Sequence, residues 1–284
     1  MVKSKILSSR GHTGRVILRT TLYSIALLGA ISMVIPFLWM TITALKTEAQ
    51  VFTWPPQFIP SPFRFQNFID AWTAVPFARF FLNSTIVATS VTLGSLLFNS
   101  MAGYAFAKLK FPGRDIIFLI VLGSMMVPVF VTIIPVFTLI RYLGWLNTYY
   151  ALIVPGIASA FGTFLMRQFI STIPNDYLDA ARIDGCNEFR IYFSIVLPLC
   201  KPAIAALGIF TFMAAWNDFL WPLTMTTTEE MKTLQVGLSF FLSEYIQKWT
   251  LHMAGAFFAT IPVILVFLFF QRRIIKGITL TGLK

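Results

Sequence analysis

The chain has 284 residues, of which 57% are hydrophobic and only 12% are charged, and its mean hydropathy is +0.77. In a water-soluble domain, roughly a quarter of the residues are Asp, Glu, Lys or Arg. The low charged fraction therefore excludes a water-soluble protein and indicates a membrane protein. The formal net charge is +11, yet the cations lie between apolar runs and not in one soluble patch, which argues against nucleic acid as a partner. Membrane lipid is therefore the expected surroundings.

Six apolar runs reach the roughly 20 residues that a helix needs to cross the hydrocarbon core. A helix is expected in each, because lipid offers exposed backbone groups no hydrogen-bond partner. In chain order the predicted spans are 20–45, 80–107, 116–140, 142–166, 202–225 and 249–271. The sequence thus predicts an all-α transmembrane fold, with residues 1–284 forming a single six-helix transmembrane domain.

The distribution of basic residues predicts the orientation of the spans. With six spans both termini share a side, and 16 of the 22 Lys and Arg residues lie there, in the terminal segments and in the connections 108–115 and 167–201. Lys and Arg collect on the cytoplasmic side of membrane proteins. Both termini and these two connections are therefore predicted to be cytoplasmic.

The connection between the fourth and fifth spans, which contains "DAARIDGCNEFRIYFSIVLP", is unusually charged for so apolar a chain. Pro174 suits a first helical turn, and Gly185 can take the left-handed conformation that ends a helix. Asn187 suits the N-cap of a second helix, with Glu188 in its first turn. Segment 174–198 is therefore predicted to be a hairpin of two short helices. Its acidic residues favour a protein partner over anionic lipid headgroups.

A spaced pattern in this hairpin resembles the EAA loop of the membrane subunits of binding-protein-dependent ABC importers. The pattern consists of Asp179, Ala180, Ala181, Gly185, Ile195, Leu197 and Pro198. Asp179 stands where the family usually has Glu, so the carboxylate is kept but reaches one methylene less far. The stretches "MAGYAFAKLKFPGR", "WNDFLWPL" and "KGITLTGLK" resemble sugar-importing permeases of the maltose-transporter type.

The resemblance implies a type I ABC importer permease fold in a bacterial cytoplasmic membrane. It implies half of a translocation path for a sugar, such as an oligosaccharide, shared with a second, nonidentical permease subunit. The hairpin would couple to a cytoplasmic ABC ATPase dimer, with Asp179 forming an ion pair, and an extracytoplasmic sugar-binding protein would deliver the solute. The sequence has no G-x-x-x-x-G-K-[ST] loop, so ATP and magnesium are expected on the ATPase. This chain is expected to be neither an enzyme nor the holder of a cofactor or metal.

Polar residues near the fifth span are candidates for the substrate path. An ionisable residue at membrane depth is by default a functional hypothesis, and Asp218 with its neighbour Asn217 fits it, although the pair could instead lie at the external end of the span. Trp216 and Trp221 could stack on sugar rings, but tryptophan also marks the membrane interface.

Asn83 and Asn99 in the second span could line a passage or join helices by hydrogen bonds.

Three other functions stay open on the residues alone. The solute of an ABC permease could be something other than a sugar. A stand-alone secondary transporter or channel would need ion-coupling carboxylates in its spans, for which Asp218 is the candidate. An intramembrane enzyme would need a catalytic constellation that the sequence does not display.

Overall fold

The computed structural model describes residues 12–242 and 248–281, and all regular structure in these two ranges is helical. The α-helices are α1 (His12–Ala44), α2 (Glu48–Val51), α3 (Gln66–Thr73), α4 (Phe77–Lys108), α5 (Arg114–Ser124), α6 (Val129–Tyr142), α7 (Tyr149–Ile153), α8 (Ala160–Ser171), α9 (Asn175–Ile183), α10 (Glu188–Ile191), α11 (Leu197–Leu199), α12 (Lys201–Trp216), α13 (Leu220–Met225), α14 (Leu234–Ser239) and α15 (Trp249–Thr281). A π-helical turn, Tyr192–Val196, joins α10 to α11. Short 3₁₀ turns occur at Val154–Gly156, Glu229–Met231 and Phe240–Leu242.

Several of these helices are long and apolar enough to cross a membrane. Within the described residues there are 4 such segments: Val16–Ala44, Phe77–Lys108, Tyr149–Ser171 and Trp249–Phe269. Two bent pairs raise the number to 6 if each pair counts as one span: α5 with α6, at 101°, and 188–199 with α12, at 82°. The all-helical class agrees with the prediction, and the predicted number of six spans falls within this range of 4 to 6.

Breaks in the helices depart from the predicted runs 116–140 and 142–166. The first is divided because Pro128 precedes α6 and disfavours helical conformation in the residue before it. The second starts late because the chain turns through left-handed Gly144 and Asn147 before α7 begins at Tyr149. Proline and turn residues thus set the helix ends inside sequence that is apolar throughout.

The predicted span 202–225 also differs, since α12 ends at Trp216 and α13 starts at Leu220. The Asp218 carboxylate accepts a hydrogen bond of 3.2 Å from the backbone N–H of Trp221. A short acidic side chain that binds nearby backbone in this way competes with continued helix. The interruption at Asp218 is therefore a real break between two helices.

Helix α4 lies at the centre of the bundle, with α8 and α12 packed along it and α15 packed on α12, α1 and α3. Gly103 allows α4 and α8 to approach closely: a Cβ there would lie 2.6 Å from Cβ of Met166 and 2.8 Å from the backbone nitrogen of Arg167. Most side chains of α1 between Val16 and Leu38 are exposed, as expected for a helix that contacts lipid or another subunit.

Two buried apolar clusters occupy opposite ends of α4. One surrounds Phe77 and Phe80 and includes Trp216, whose ring stacks on Phe212. The other surrounds Tyr104 and consists largely of side chains from α8 and from segment 174–198. The hairpin is therefore part of the hydrophobic core and not a loosely attached connection.

Candidate functional site

The hairpin turns at Gly185, where φ is +81°. The N–H of Cys186 donates to the carbonyl of Ala181 at 2.9 Å, and the N–H of Gly185 donates to the carbonyl of Arg182 at 3.0 Å. These two bonds form a Schellman motif, which satisfies the last carbonyls of α9. Glycine suits this position because a left-handed backbone costs other residues free energy.

The second arm begins as the sequence indicates and ends one residue beyond the predicted boundary at 198. The side chain of Asn187 accepts a hydrogen bond of 2.8 Å from the N–H of Arg190, and Glu188 lies in the first turn. From there α10, the π-helical turn and α11 follow without interruption, so the arm ends at Leu199, just before Cys200. A π-helical turn accommodates an extra residue and often marks a functional segment. Ile195 and Leu197 are half-buried in this arm, and Pro198 is exposed.

Four charged and polar side chains form a network across the turn. The guanidinium of Arg182 lies 2.7 Å from the carboxylate of Asp179 and 2.9 Å from that of Glu188, which also accepts a hydrogen bond from the hydroxyl of Tyr104 on α4. The bond to Glu188 above all, and then the bond to Asp179, raises the pKa of Arg182 above its ordinary value. Asp179 is thus engaged within its own hairpin. Its ion pair with an ATPase stays a prediction.

The hairpin has an inner and an outer face. Leu178 and Ala181 are buried against the bundle, whereas Ala180 is exposed. The outer face carries four large apolar side chains that are each at least half exposed: Tyr177, Ile183, Phe189 and Phe193. An exposed apolar group beside charged residues marks an interaction surface.

A second feature is a cavity of about 880 Å³ between α4, α6, α8, α12 and α13. Its wall is mostly apolar, with Phe130, Phe161, Phe210 and Trp221 among the lining residues. The polar residues of the wall are Ser95, Ser159, Thr211 and Asp218. This volume and this mixture are typical of a site for a small organic ligand.

Of the predicted path residues Asp218 lies on the cavity wall, and Trp216 and Asn217 do not. The indole N–H of Trp216 donates to the carbonyl of Ala259 at 3.0 Å, in a fully buried position between α12 and α15. The amide of Asn217 is exposed and donates to the carbonyl of Met213 at 2.8 Å. Trp216 is therefore a core residue, and the apolar surroundings that bury it explain why it cannot reach a solute in this cavity.

The side chains of Asn83 and Asn99 also form hydrogen bonds between elements of the bundle and do not line the cavity. The amide of Asn83 donates to the carbonyls of Glu230 and Lys232, both at 2.8 Å, and its oxygen accepts from the Tyr149 hydroxyl at 2.7 Å. This residue ties the start of α4 to the connection that precedes α14.

The oxygen of Asn99 accepts from the N–H of Ser159 at 2.9 Å and from the Thr163 hydroxyl at 3.2 Å, so it joins α4 to the start of α8. Its neighbours Ser95 and Ser159 reach the cavity in its place. Sequence reasoning did not select these serines, because small hydroxyl residues are frequent at helix contacts and carry no distinctive spacing. In the described residues no three His, Cys, Asp or Glu side chains are grouped to hold a metal ion.

Residues 96–280 match one family of known proteins, described as "Binding-protein-dependent transport system inner membrane component". The matched range contains α8, the hairpin, the cavity helices α12 and α13, and most of α15.

Two relatives and one solved structure cover most of the chain. The arabinooligosaccharides transport system permease protein AraQ of Halalkalibacterium halodurans is 40% identical over 228 residues, 80% of this chain and 82% of that protein. The sn-glycerol-3-phosphate transport system permease protein UgpE of Yersinia pestis is 35% identical over 260 residues, 89% of this chain and 92% of that protein. A crystal structure of a bacterial ABC transporter involved in the import of the acidic polysaccharide alginate matches with a TM-score of 0.79, at 22% identity, over 93% of this chain and 98% of that chain. The last similarity establishes the fold.

Proposed function

This chain belongs to the family of inner-membrane components of binding-protein-dependent transport systems, and from that premise we propose that it forms half of the translocation path of an ATP-driven sugar importer. A second, nonidentical permease subunit supplies the other half. The cavity between α4 and α12 is this chain's share of the path, and the hairpin is its contact with a cytoplasmic ABC ATPase dimer. ATP and magnesium bind to that ATPase, and an extracytoplasmic binding protein delivers the sugar.

The outer face of the hairpin carries this proposal. Tyr177, Ile183, Phe189 and Phe193 are exposed there, while the inner face is packed into the core around Tyr104. A rigid apolar face rimmed by charge suits a protein partner, since apolar anchors bury area and the charged rim sets the register. The arms are also too short to be stable alone, so docking on both sides is physically reasonable.

The cavity favours a neutral, polyhydroxylated solute. Aromatic rings and a few hydroxyl groups offer stacking surface and hydrogen bonds, and Asp218 can accept bonds from sugar hydroxyls. A second candidate is a phosphorylated polyol, because UgpE is named for sn-glycerol 3-phosphate. The lining of the cavity within the described residues contains Asp218 and no Lys, Arg or His, which disfavours an anion. The sugar named in AraQ supports the first candidate.

The proposed orientation places both termini and the hairpin in the cytoplasm of a bacterium, with the chain crossing the inner membrane several times. The excess of Lys and Arg on that side supports it. The hairpin lies at the Lys108 end of α4, and the opposite end contacts the connection at Glu230 and Lys232, which would face the binding protein.

Reconstitution in proteoliposomes tests the function. The chain is purified with its partner permease and ATPase, and uptake of labelled arabinooligosaccharides is measured with ATP inside and the loaded binding protein outside. Uptake that needs ATP and the binding protein supports the proposal. Uptake by this chain alone, driven by an ion gradient and indifferent to ATP, would instead identify a secondary transporter.

Asp179→Lys is expected to lower the sugar imported per ATP hydrolysed about tenfold, because it breaks the 2.7 Å pair with Arg182 and reverses charge at the docking face. The pair is largely exposed and contributes little to folding, so the thermal midpoint should hardly move. Asp70→Lys on α3, at the other end of the molecule, is the matched control. Equal coupling in both variants would remove Asp179 from the docking face.

Asp218→Asn is expected to lower the maximal uptake rate about tenfold, since a hydrogen bond to a charged acceptor on the cavity wall is weakened while the side chain can still accept from the N–H of Trp221. Asn217→Ala, one residue away and off the wall, should stay close to the wild-type rate. Initial rates at saturating binding protein give the comparison. A normal rate in Asp218→Asn would show that the carboxylate does not contact solute.

A further inference from the structure

Three polar residues of α4 recur at intervals of four residues: Ser100, Tyr104 and Lys108. Residues four apart lie above one another on the same face of a helix. All three side chains of this face, which we name the α4 stripe, form hydrogen bonds with the hairpin. The proposed function assigns no role to this arrangement.

The first two residues of the α4 stripe, Ser100 and Tyr104, form hydrogen bonds with the second arm of the hairpin. The hydroxyls of Ser100 and Tyr192 lie 2.7 Å apart. The Ser100 hydroxyl is also within hydrogen-bond distance of the carbonyl of Leu96 in its own helix, and either hydroxyl of the pair can be the donor. Tyr104 donates to Glu188, and its ring lies 5.7 Å from that of Tyr192.

The third residue of the stripe holds the first arm. The ammonium group of Lys108 donates to the carbonyl of Ile173 and, at 2.8 Å, to the side-chain oxygen of Asn175, the first residue of α9. Both arms are therefore attached to one face of one helix.

These bonds determine the position of the hairpin more strictly than the surrounding apolar contacts do. Apolar packing is not directional, so two apolar surfaces can shift against each other at a modest cost in free energy. Ser100, Tyr104 and Tyr192 are at most 4% exposed, and breaking their bonds would leave buried polar groups without partners. The hairpin cannot slide along α4 without that penalty.

The same helix continues to the cavity. Val87, Val91 and Ser95 of α4 lie on the cavity wall, about one to four helical turns before the stripe. Any displacement of the stripe along or around the axis of α4 must reach these residues, because the helix between them is unbroken.

We propose that Ser100, Tyr104 and Lys108 are positioning residues that join the hairpin and α4 into one rigid body, so that α4 carries movement of the hairpin to the cavity wall. This inference rests on the proposed function and specifies which helix transmits the ATPase movement. It predicts that the hairpin keeps its position relative to α4 throughout the transport cycle.

The first test measures a distance in the complete importer. Nitroxide labels are placed at Ser194 on the second arm of the hairpin, which is not one of the four outer-face residues, and at Leu93 on α4. Both positions are exposed, and Cys186 and Cys200 are replaced by Ala. In the otherwise wild-type complex the distance between the labels should be the same with and without ATP. In Tyr104→Phe or Lys108→Met it should broaden or change when ATP binds.

The second test measures coupling. Tyr104→Phe keeps the ring but removes the hydroxyl, and we expect the sugar imported per ATP to fall at least about fivefold while the ATPase still co-purifies. Tyr142→Phe, at a position that is 87% exposed on α6, is the matched control. Glu188→Gln keeps an acceptor for Tyr104 but loses the charge opposite Arg182. The sugar imported per ATP should therefore fall less in Glu188→Gln than in Tyr104→Phe. Lys108→Met gives an independent variant should Tyr104→Phe not fold.

The outcomes separate the two proposals. An unlabelled wild-type complex without ATP-driven uptake refutes the proposed function. If that complex imports sugar, but the distance between Ser194 and Leu93 changes with ATP, or Tyr104→Phe and Lys108→Met couple normally, the hairpin moves independently of α4. The inference is then wrong while the proposed function stands.

Discussion

Gly185→Val is expected to reduce ATP-driven uptake to background. A φ of +81° costs an ordinary residue about 1–2 kcal/mol, and a β-branched residue is a clear outlier there. A Cβ at this position would meet no atom within 4 Å, so the expected cause is backbone strain and not a clash at Cβ. Relief of the strain opens the turn, removes the bonds to the carbonyls of Ala181 and Arg182, and separates the two arms of the docking face.

Two variants control for this interpretation, with uptake and co-purification of the ATPase as the measurements. Gly185→Asn should retain much of the uptake, because asparagine tolerates the left-handed conformation. Gly123→Val adds the same side chain at another open position, with ordinary helical geometry, and should behave like wild type. Equal uptake in Gly185→Val and Gly185→Asn would mean that the bend is not needed for coupling.

The bend at Gly185 was predictable because its causes are local. A left-handed glycine and an Asn187 cap act over a few residues, so they are legible in the sequence. The end of the second arm was predicted to within one residue, but its π-helical turn was not predictable, since Tyr192 and Val196 lie in a buried cluster with residues of α4 and α8 that are distant in sequence.

The residues of the cavity wall were only partly predictable from the sequence. Asp218 was identified as a charged residue in an apolar run, and the structure places it on the wall. Trp216 and Asn99 were chosen on equally good chemical grounds, yet both lie at helix contacts, with partners more than 40 residues away in the chain. Residue type predicts what a side chain can bind, whereas the direction in which it points depends on where neighbouring helices break.

Gly103→Val is expected to prevent assembly of the bundle, the largest effect on stability that we predict. The added Cβ alone would lie 2.8 Å from the backbone nitrogen of Arg167 and 2.6 Å from Cβ of Met166, which is completely buried. Backbone cannot yield as a flexible side chain can, so α8 must move away from α4. That movement also stretches the bonds from Ser159 and Thr163 to Asn99.

Overpacking of a tight contact commonly costs about 1–3 kcal/mol, and the lost hydrogen bonds of buried groups add to it. The yield of monodisperse protein after detergent extraction, and its thermal midpoint, should therefore collapse in Gly103→Val and fall by less in Gly103→Ala. Gly29→Val on the exposed α1, where a Cβ meets nothing within 4 Å, should leave both values near wild type. A normal midpoint in Gly103→Val would show that α4 and α8 are not closely packed, and the α4 stripe would then lack the rigid support on which its role depends.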